Sequence, residues 1–115
     1  MSKIKDFDWT ITLDANDETT DQKVTMSIEQ PQVGKCSLVK PLGDALAGVI
    51  RNISIGEGSQ LHGREMYCQA LITDFDTQSN RVTLIIKSGK YSKSFSADVD
   101  HQGESIQLNV TVIYI

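Results

Sequence analysis

The chain has 115 residues, 39% of them hydrophobic and 23% charged, and a net charge of −4. This length favours one domain that buries a core without disulfide staples, and only two prolines and eight glycines argue against a disordered or low-complexity chain. The acidic excess lies in residues 1–32, with seven acids against three bases, whereas a nucleic-acid binder led by phosphate contacts needs a basic surface.

The N-terminal stretch shows no apolar leader segment. No apolar run approaches the roughly 18 residues of a membrane span. The expected compartment is therefore the cytoplasm, with Cys36 and Cys68 as free thiols.

Taken in order, "FDWTITL" alternates cleanly: Phe7, Trp9, Ile11 and Leu13 share one side, and Asp8, Thr10 and Thr12 the other. That is the period of a half-buried strand. "KVTMSIE" repeats it with Val24, Met26 and Ile28 inward, and the polar "DANDETTDQ" between the two predicts a long-looped hairpin. "KCSLVK" reads as a third, shorter strand.

"PLGDALAGVIRN" has a different period. Leu42, Ala45, Leu46, Val49, Ile50 and Ile53 recur at three- and four-residue steps, which predicts one short helix over residues 41–51. Pro41 suits a first helical position, and Asp44 and Arg51 suit the two dipole ends. Gly43 and Gly48 each cost up to about 1 kcal/mol relative to alanine, so packing would have to hold such a helix. "ISIGEGSQLHG" reads as a short strand and a glycine-rich loop, without the Lys-Ser/Thr that a phosphate loop needs.

From residue 64, "REMYCQALITDFD", "RVTLIIK", "KYSKSFSADVD" and "SIQLNVTVIYI" are four strands. The connections "TQSN", "SG" and "HQGE" predict a C-terminal four-stranded antiparallel meander over 64–115. The whole is expected to be a single all-β domain, 1–115: an antiparallel β-sandwich or small β-barrel of about seven strands with one short helix. A meander would gather Asp74, Asp76, Arg81, Asp98, Asp100, His101 and Glu104 on one rim and Arg64, Glu65, Lys87, Lys90 and Lys93 on the other.

Several of these strands carry apolar residues on both sides. Tyr67, Leu71 and Phe75 oppose the main set of the first, Ile85 that of the second, and Ile113 and Ile115 that of the last. A second cover is therefore expected, from the helix, the N-terminal hairpin or another subunit. Ile113, Tyr114 and Ile115 are the expected interface residues.

Signals of chemistry are sparse. Asp74, Asp76, Asp98 and Asp100 form two D-x-D pairs that could offer oxygens to a hard cation, although aspartates at strand ends more often cap turns. Thr19 and Thr25 stand where an EF-hand loop starting at Asp14 needs glycine and glutamate. His62, His101, Cys36 and Cys68 lack paired zinc spacing. No catalytic constellation stands out, so neither an enzyme nor a cofactor is expected. Trp9, Tyr67 and Tyr91 are the candidate ligand-contacting aromatics: Trp9 would line an apolar pocket if the sheet closed, and Tyr91 lies among lysines at a small anion-binding edge.

The expected function is that of a non-enzymatic binding or assembly module working as a homo-oligomer. The alternatives are an apolar-ligand-binding barrel, and a small enzyme or metal-binding protein using the acidic rim.

Overall fold

The computed structural model describes residues 4–15, 19–30, 33–73, 81–98 and 105–115. In chain order the elements are β1 (Ile4–Leu13), β2 (Asp21–Ile28), β3 (Val33–Val39), β4 (Ala45–Gly48), β5 (Ile53–Glu57), α1 (Gly58–Leu61), β6 (Glu65–Thr73), β7 (Arg81–Ser88), β8 (Tyr91–Asp98) and β9 (Ser105–Tyr114). They form a five-stranded sheet ordered β1-β9-β6-β3-β4 and a four-stranded sheet ordered β5-β2-β7-β8. The fold is β-sandwich-like and not a closed barrel. No described helix is long and apolar enough to cross a membrane.

Alternation builds the core. Met66, Ala70 and Ile72 of β6, Leu38 of β3, and Leu108 and Val112 of β9 are fully buried from one sheet. Val24 of β2 and Val82 and Leu84 of β7 meet them, equally buried, from the other. At one end Tyr114 and Ser88 share a buried hydroxyl–hydroxyl bond of 2.7 Å that joins β9 to β7 across the sandwich. Desolvation pushes the Tyr114 phenol up to about 12; the Ser88 bond opposes this and the nearby Cys68 adds to it. Cys36 and Cys68 lie on neighbouring strands, opposite Ala70 and Leu38 respectively, and both are free and buried.

The four C-terminal strands form as expected, but they do not make a meander. β6 pairs with β3 and β9, whereas β7 and β8 form a hairpin in the other sheet. Thr73 and Arg81 bracket seven residues, enough chain for the step of about 10 Å between packed sheets. Gly89-Lys90 is a two-residue turn, with Gly89 at φ 58° in the first central position, as a type II′ hairpin requires.

The N-terminal hairpin is also replaced. β1 runs parallel to β9 over its whole length, while β2 pairs with β5 and β7. The parallel ladder continues past the strand ends: the Ile115 amide donates to the Leu13 carbonyl (2.9 Å) and the Ala15 amide to the Ile115 carbonyl (3.0 Å).

Residues 41–51 hold no helix. Ala45–Gly48 is the edge strand β4, paired with β3 through Leu46↔Leu38 and Gly48↔Cys36. Gly48 has φ 109°, which no helix uses, and pairing to β3 satisfies backbone groups that a short, glycine-rich helix would hold weakly. The helical spacing was coincidental: Ile50 is 2% exposed, but Val49 is 82% exposed. Among the described residues the one helical turn is instead α1, where the Glu57 amide donates to Gln60 Oε1 (3.0 Å).

Candidate functional site

The outer face of the five-stranded sheet is built in cross-strand rows. One row runs Lys35–Leu71–Gln107–Asp6, the next Ser37–Gln69–Asn109–Asp8, the next Val39–Tyr67–Thr111–Thr10, and the last Glu65–Ile113–Thr12. Because the inward residues of β6 and β9 are apolar, every second position on these strands must stand on this face.

The second row is a hydrogen-bonded ladder across four strands. Ser37 Oγ donates to Gln69 Oε1 (3.3 Å), Gln69 Nε2 to Asn109 Oδ1 (2.9 Å) and Asn109 Nδ2 to Asp8 Oδ1 (2.9 Å). Asn109 also accepts from Gln107 Nε2 (3.3 Å) and reaches Asp6 Oδ1 (3.4 Å). Such a ladder fixes register, since a one-residue slip would break every link and turn the apolar sets outward.

On one side of the ladder the face exposes large apolar side chains among threonines. Val39 is 41% exposed and Tyr67, its row partner, 47%. They line a shallow depression of about 240 Å³ together with Ser37, Gln69, Asn109 and Thr111. Ile113 is half-buried in the next row, and Ile115 beyond it is 62% exposed. The Tyr67 hydroxyl donates to the Glu65 carboxylate, which holds the phenol above its ordinary value.

The remaining expected residues are scattered. Tyr114 faces the core and is 3% exposed, so Ile113 and Ile115 are the C-terminal residues turned outward. Trp9 is half-buried between the sheets, 5.5 Å from the Phe95 ring and 6.3 Å from Phe7. Tyr91 lies at the β7–β8 turn, with Lys90 Nζ 5.6 Å from its ring centre. Trp9, Tyr67 and Tyr91 do not converge on one cavity. Asp98 pairs with Arg81 (3.4 Å), and Asp74, Asp76 and Asp100 lie outside the described residues. Among the described residues no group of three or more His, Cys, Asp or Glu could hold a metal. Burial pushes the Cys68 thiol up to about 12 and raises Cys36 as well, which leaves neither poised as a nucleophile.

A groove of about 570 Å³ is lined by Met26, Ile28, Cys36, Val49, Ile50 and Arg51. No family model, curated protein or solved structure matches the chain.

Proposed function

We propose that the chain is a non-enzymatic binding and assembly module that pairs with a second copy of itself through the outer face of its five-stranded sheet. The observation that carries this reading is the uncovered run of Val39, Tyr67, Ile113 and Ile115 on that face. Two of the three covers expected from the sequence are accounted for inside the sheet: residues 45–48 are its edge strand β4, and β1 is its opposite edge. Among the described residues no other element lies over the face, which favours another subunit.

Charge placement favours a two-fold arrangement. Asp6 and Lys35 end the same row, three strand steps apart, or about 14 Å, too far to pair within one chain. A two-fold axis along the strands, between β6 and β9, sets Asp6 of one copy over Lys35 of the other. It also stacks Tyr67 over Thr111 and Gln69 over Asn109, in the manner of aligned sheet packing. The free, buried Cys36 and Cys68 support a reducing, cytoplasmic setting for this assembly.

Charge reversal tests the reading. Lys35→Glu should weaken the dimer by about tenfold or more, and Asp6→Lys in the same chain should restore it. Failure of the swap to restore association would remove the proposed axis.

A second reading, binding of a small apolar ligand, is supported by the groove beside Met26, Ile28 and Ile50, whose volume is ordinary for such sites. Trp9 does not line it. Calorimetry against apolar ligands, with Ile50→Ala as the variant, is the test, and no heat with any of them would remove this reading.

A further inference from the structure

The outer face of the four-stranded sheet carries a second feature, independent of the dimer face. At the end nearest the β7–β8 turn, the strands set out a small lattice of polar side chains. One row runs Asn52–Thr25–Lys87, because Thr25 pairs with Lys87 and the Asn52 amide donates to Thr25 Oγ1 (3.0 Å). The row beside it runs Ser54–Lys23–Gly89: Lys23 pairs with Ser54, and the Gly89 amide donates to the Lys23 carbonyl (3.2 Å). Lys90 follows in the turn. All of these except Ser54 border a concavity of about 550 Å³.

Three lysines, Lys23 of β2 and Lys87 and Lys90 of the β7–β8 hairpin, therefore converge on one hollow. Lys23 and Lys87 are diagonal neighbours, with side-chain origins roughly 7–8 Å apart. Among the described residues none of the three makes an ion pair, and Lys90 instead stands by the Tyr91 ring. The carboxylate that lines the hollow, Asp21, is engaged by Ser54 Oγ at 2.6 Å. Three lysines less one aspartate leave this hollow at +2, in a chain whose net charge is −4. Like charges placed side by side repel, and an anion between them removes that cost.

The Gln22 side chain, which also lines the hollow, lies against Gly89. Gly89 has φ 58°, and a Cβ there would collide with the Gln22 side chain. Asn52 takes the left-handed conformation, φ 49°, which asparagine tolerates better than most residues. The hydrogen bond that its backbone amide donates to Thr25 Oγ1 fixes it at the rim, across Thr25 from Lys87. The sequence alone shows Lys87 and Lys90 near Tyr91; the fold adds Lys23, Thr25 and Asn52. It leaves Lys93 outside the hollow, opposite Ile86, one pair further from the turn than Lys87.

We propose that this concavity is a binding site for a phosphoryl group, with Lys23, Lys87 and Lys90 neutralising the oxygens and Thr25 and Asn52 at its rim. The chemistry is the same whether the phosphate belongs to a soluble ester or to a lipid headgroup.

The test uses the full chain, labelled with nitrogen-15, and inorganic pyrophosphate as the soluble probe. Saturable amide shifts are expected at Lys23, Asn52, Gly89 and Lys90, and not with sodium chloride at matched ionic strength. The Lys23→Gln, Lys87→Gln double variant should bind about tenfold or more weakly, since two charge-assisted contacts are lost. Lys93→Gln should bind as the parent does. In a second arm, co-sedimentation with phosphatidylcholine vesicles containing phosphatidic acid reads the lipid source. Capture lost in the double variant without any response to pyrophosphate assigns the site to a headgroup; the converse assigns it to a soluble phosphate. Absence of both responses, or a double variant that binds as the parent does, overturns the proposal.

Discussion

Replacing Gly34 by alanine puts the sandwich under a perturbation whose size can be worked out from neighbouring atoms. Gly34 lies in β3 opposite Ile72 of β6. A Cβ added there would fall inside the contact distance of the Leu71 carbonyl oxygen, 2.9 Å from Ile72 Cα and 3.0 Å from Ile28 Cδ1. The first two are backbone atoms of a central strand and cannot yield without opening the β3–β6 ladder. Overpacking of this kind costs about 1–3 kcal/mol, and one or two weakened ladder bonds add about 1 kcal/mol each. A loss of about 3 kcal/mol should lower the melting temperature by about 12 °C in a chain of this size. Gly43→Ala is the matched control, because nothing lies within 4 Å of its added Cβ and its φ is not positive. There the expected change is neutral or slightly stabilising. Both variants are read by thermal unfolding followed by far-ultraviolet circular dichroism. Equal shifts for the two, or a Gly34→Ala shift under about 3 °C, would refute the close approach of β3 to β6.

Tyr114→Phe leaves the buried Ser88 hydroxyl without its partner and should cost about 1–2 kcal/mol; adding Ser88→Ala should return part of that in denaturant titration. Asn109→Ala removes the node of the exposed ladder and should cost only about 1 kcal/mol, because water replaces its partners; the check is a shifted urea midpoint at unchanged slope. The raised Cys68 thiol and Tyr114 phenol fix an alkaline limit. Unfolding returns them from about 12 to the ordinary 9.0 and 10.0, so the unfolded chain gives up protons first. Stability is therefore whole below about pH 9 and falls as pH rises toward about 12, and a melting temperature flat across that window would contradict the burial of both groups.

The strands were legible in the sequence wherever one face is apolar and the other polar: "FDWTITL", "KVTMSIE" and "SIQLNVTV" lie on β1, β2 and β9. Their partners were not legible. Alternation states which side of a strand is buried but not which strand lies beside it, so the parallel β1–β9 ladder and the split of β6 and β9 from β7 and β8 were hidden. Residues 41–51 misled because Leu42, Leu46 and Ile50, four residues apart, satisfy a helical period and equally fall on one side of an extended chain; Gly48, at φ 109°, favours the strand.

The proposed dimer face was half visible. Apolar residues on both sides of β6 and β9 signalled a second surface, and Tyr67, Ile113 and Ile115 stand on it. The ladder of Ser37, Gln69, Asn109 and Asp8 was missed, because its members lie far apart in the chain and only the register aligns them. Gln69, an amide inside the otherwise apolar stretch Met66–Ile72 of β6, was the signal available. Lys23 escaped the basic edge for the same reason, since its tie to Gly89 comes from pairing.

Sedimentation equilibrium at tens of micromolar, on the parent chain and on Tyr67→Ser with Ile113→Ser, tests self-association through the five-stranded sheet most directly. The expected result is a parent particle of twice the 12.7 kDa chain mass and a variant shifted to the single chain. A parent particle of 12.7 kDa at that concentration would contradict it, as would a dimer unmoved by the two serines.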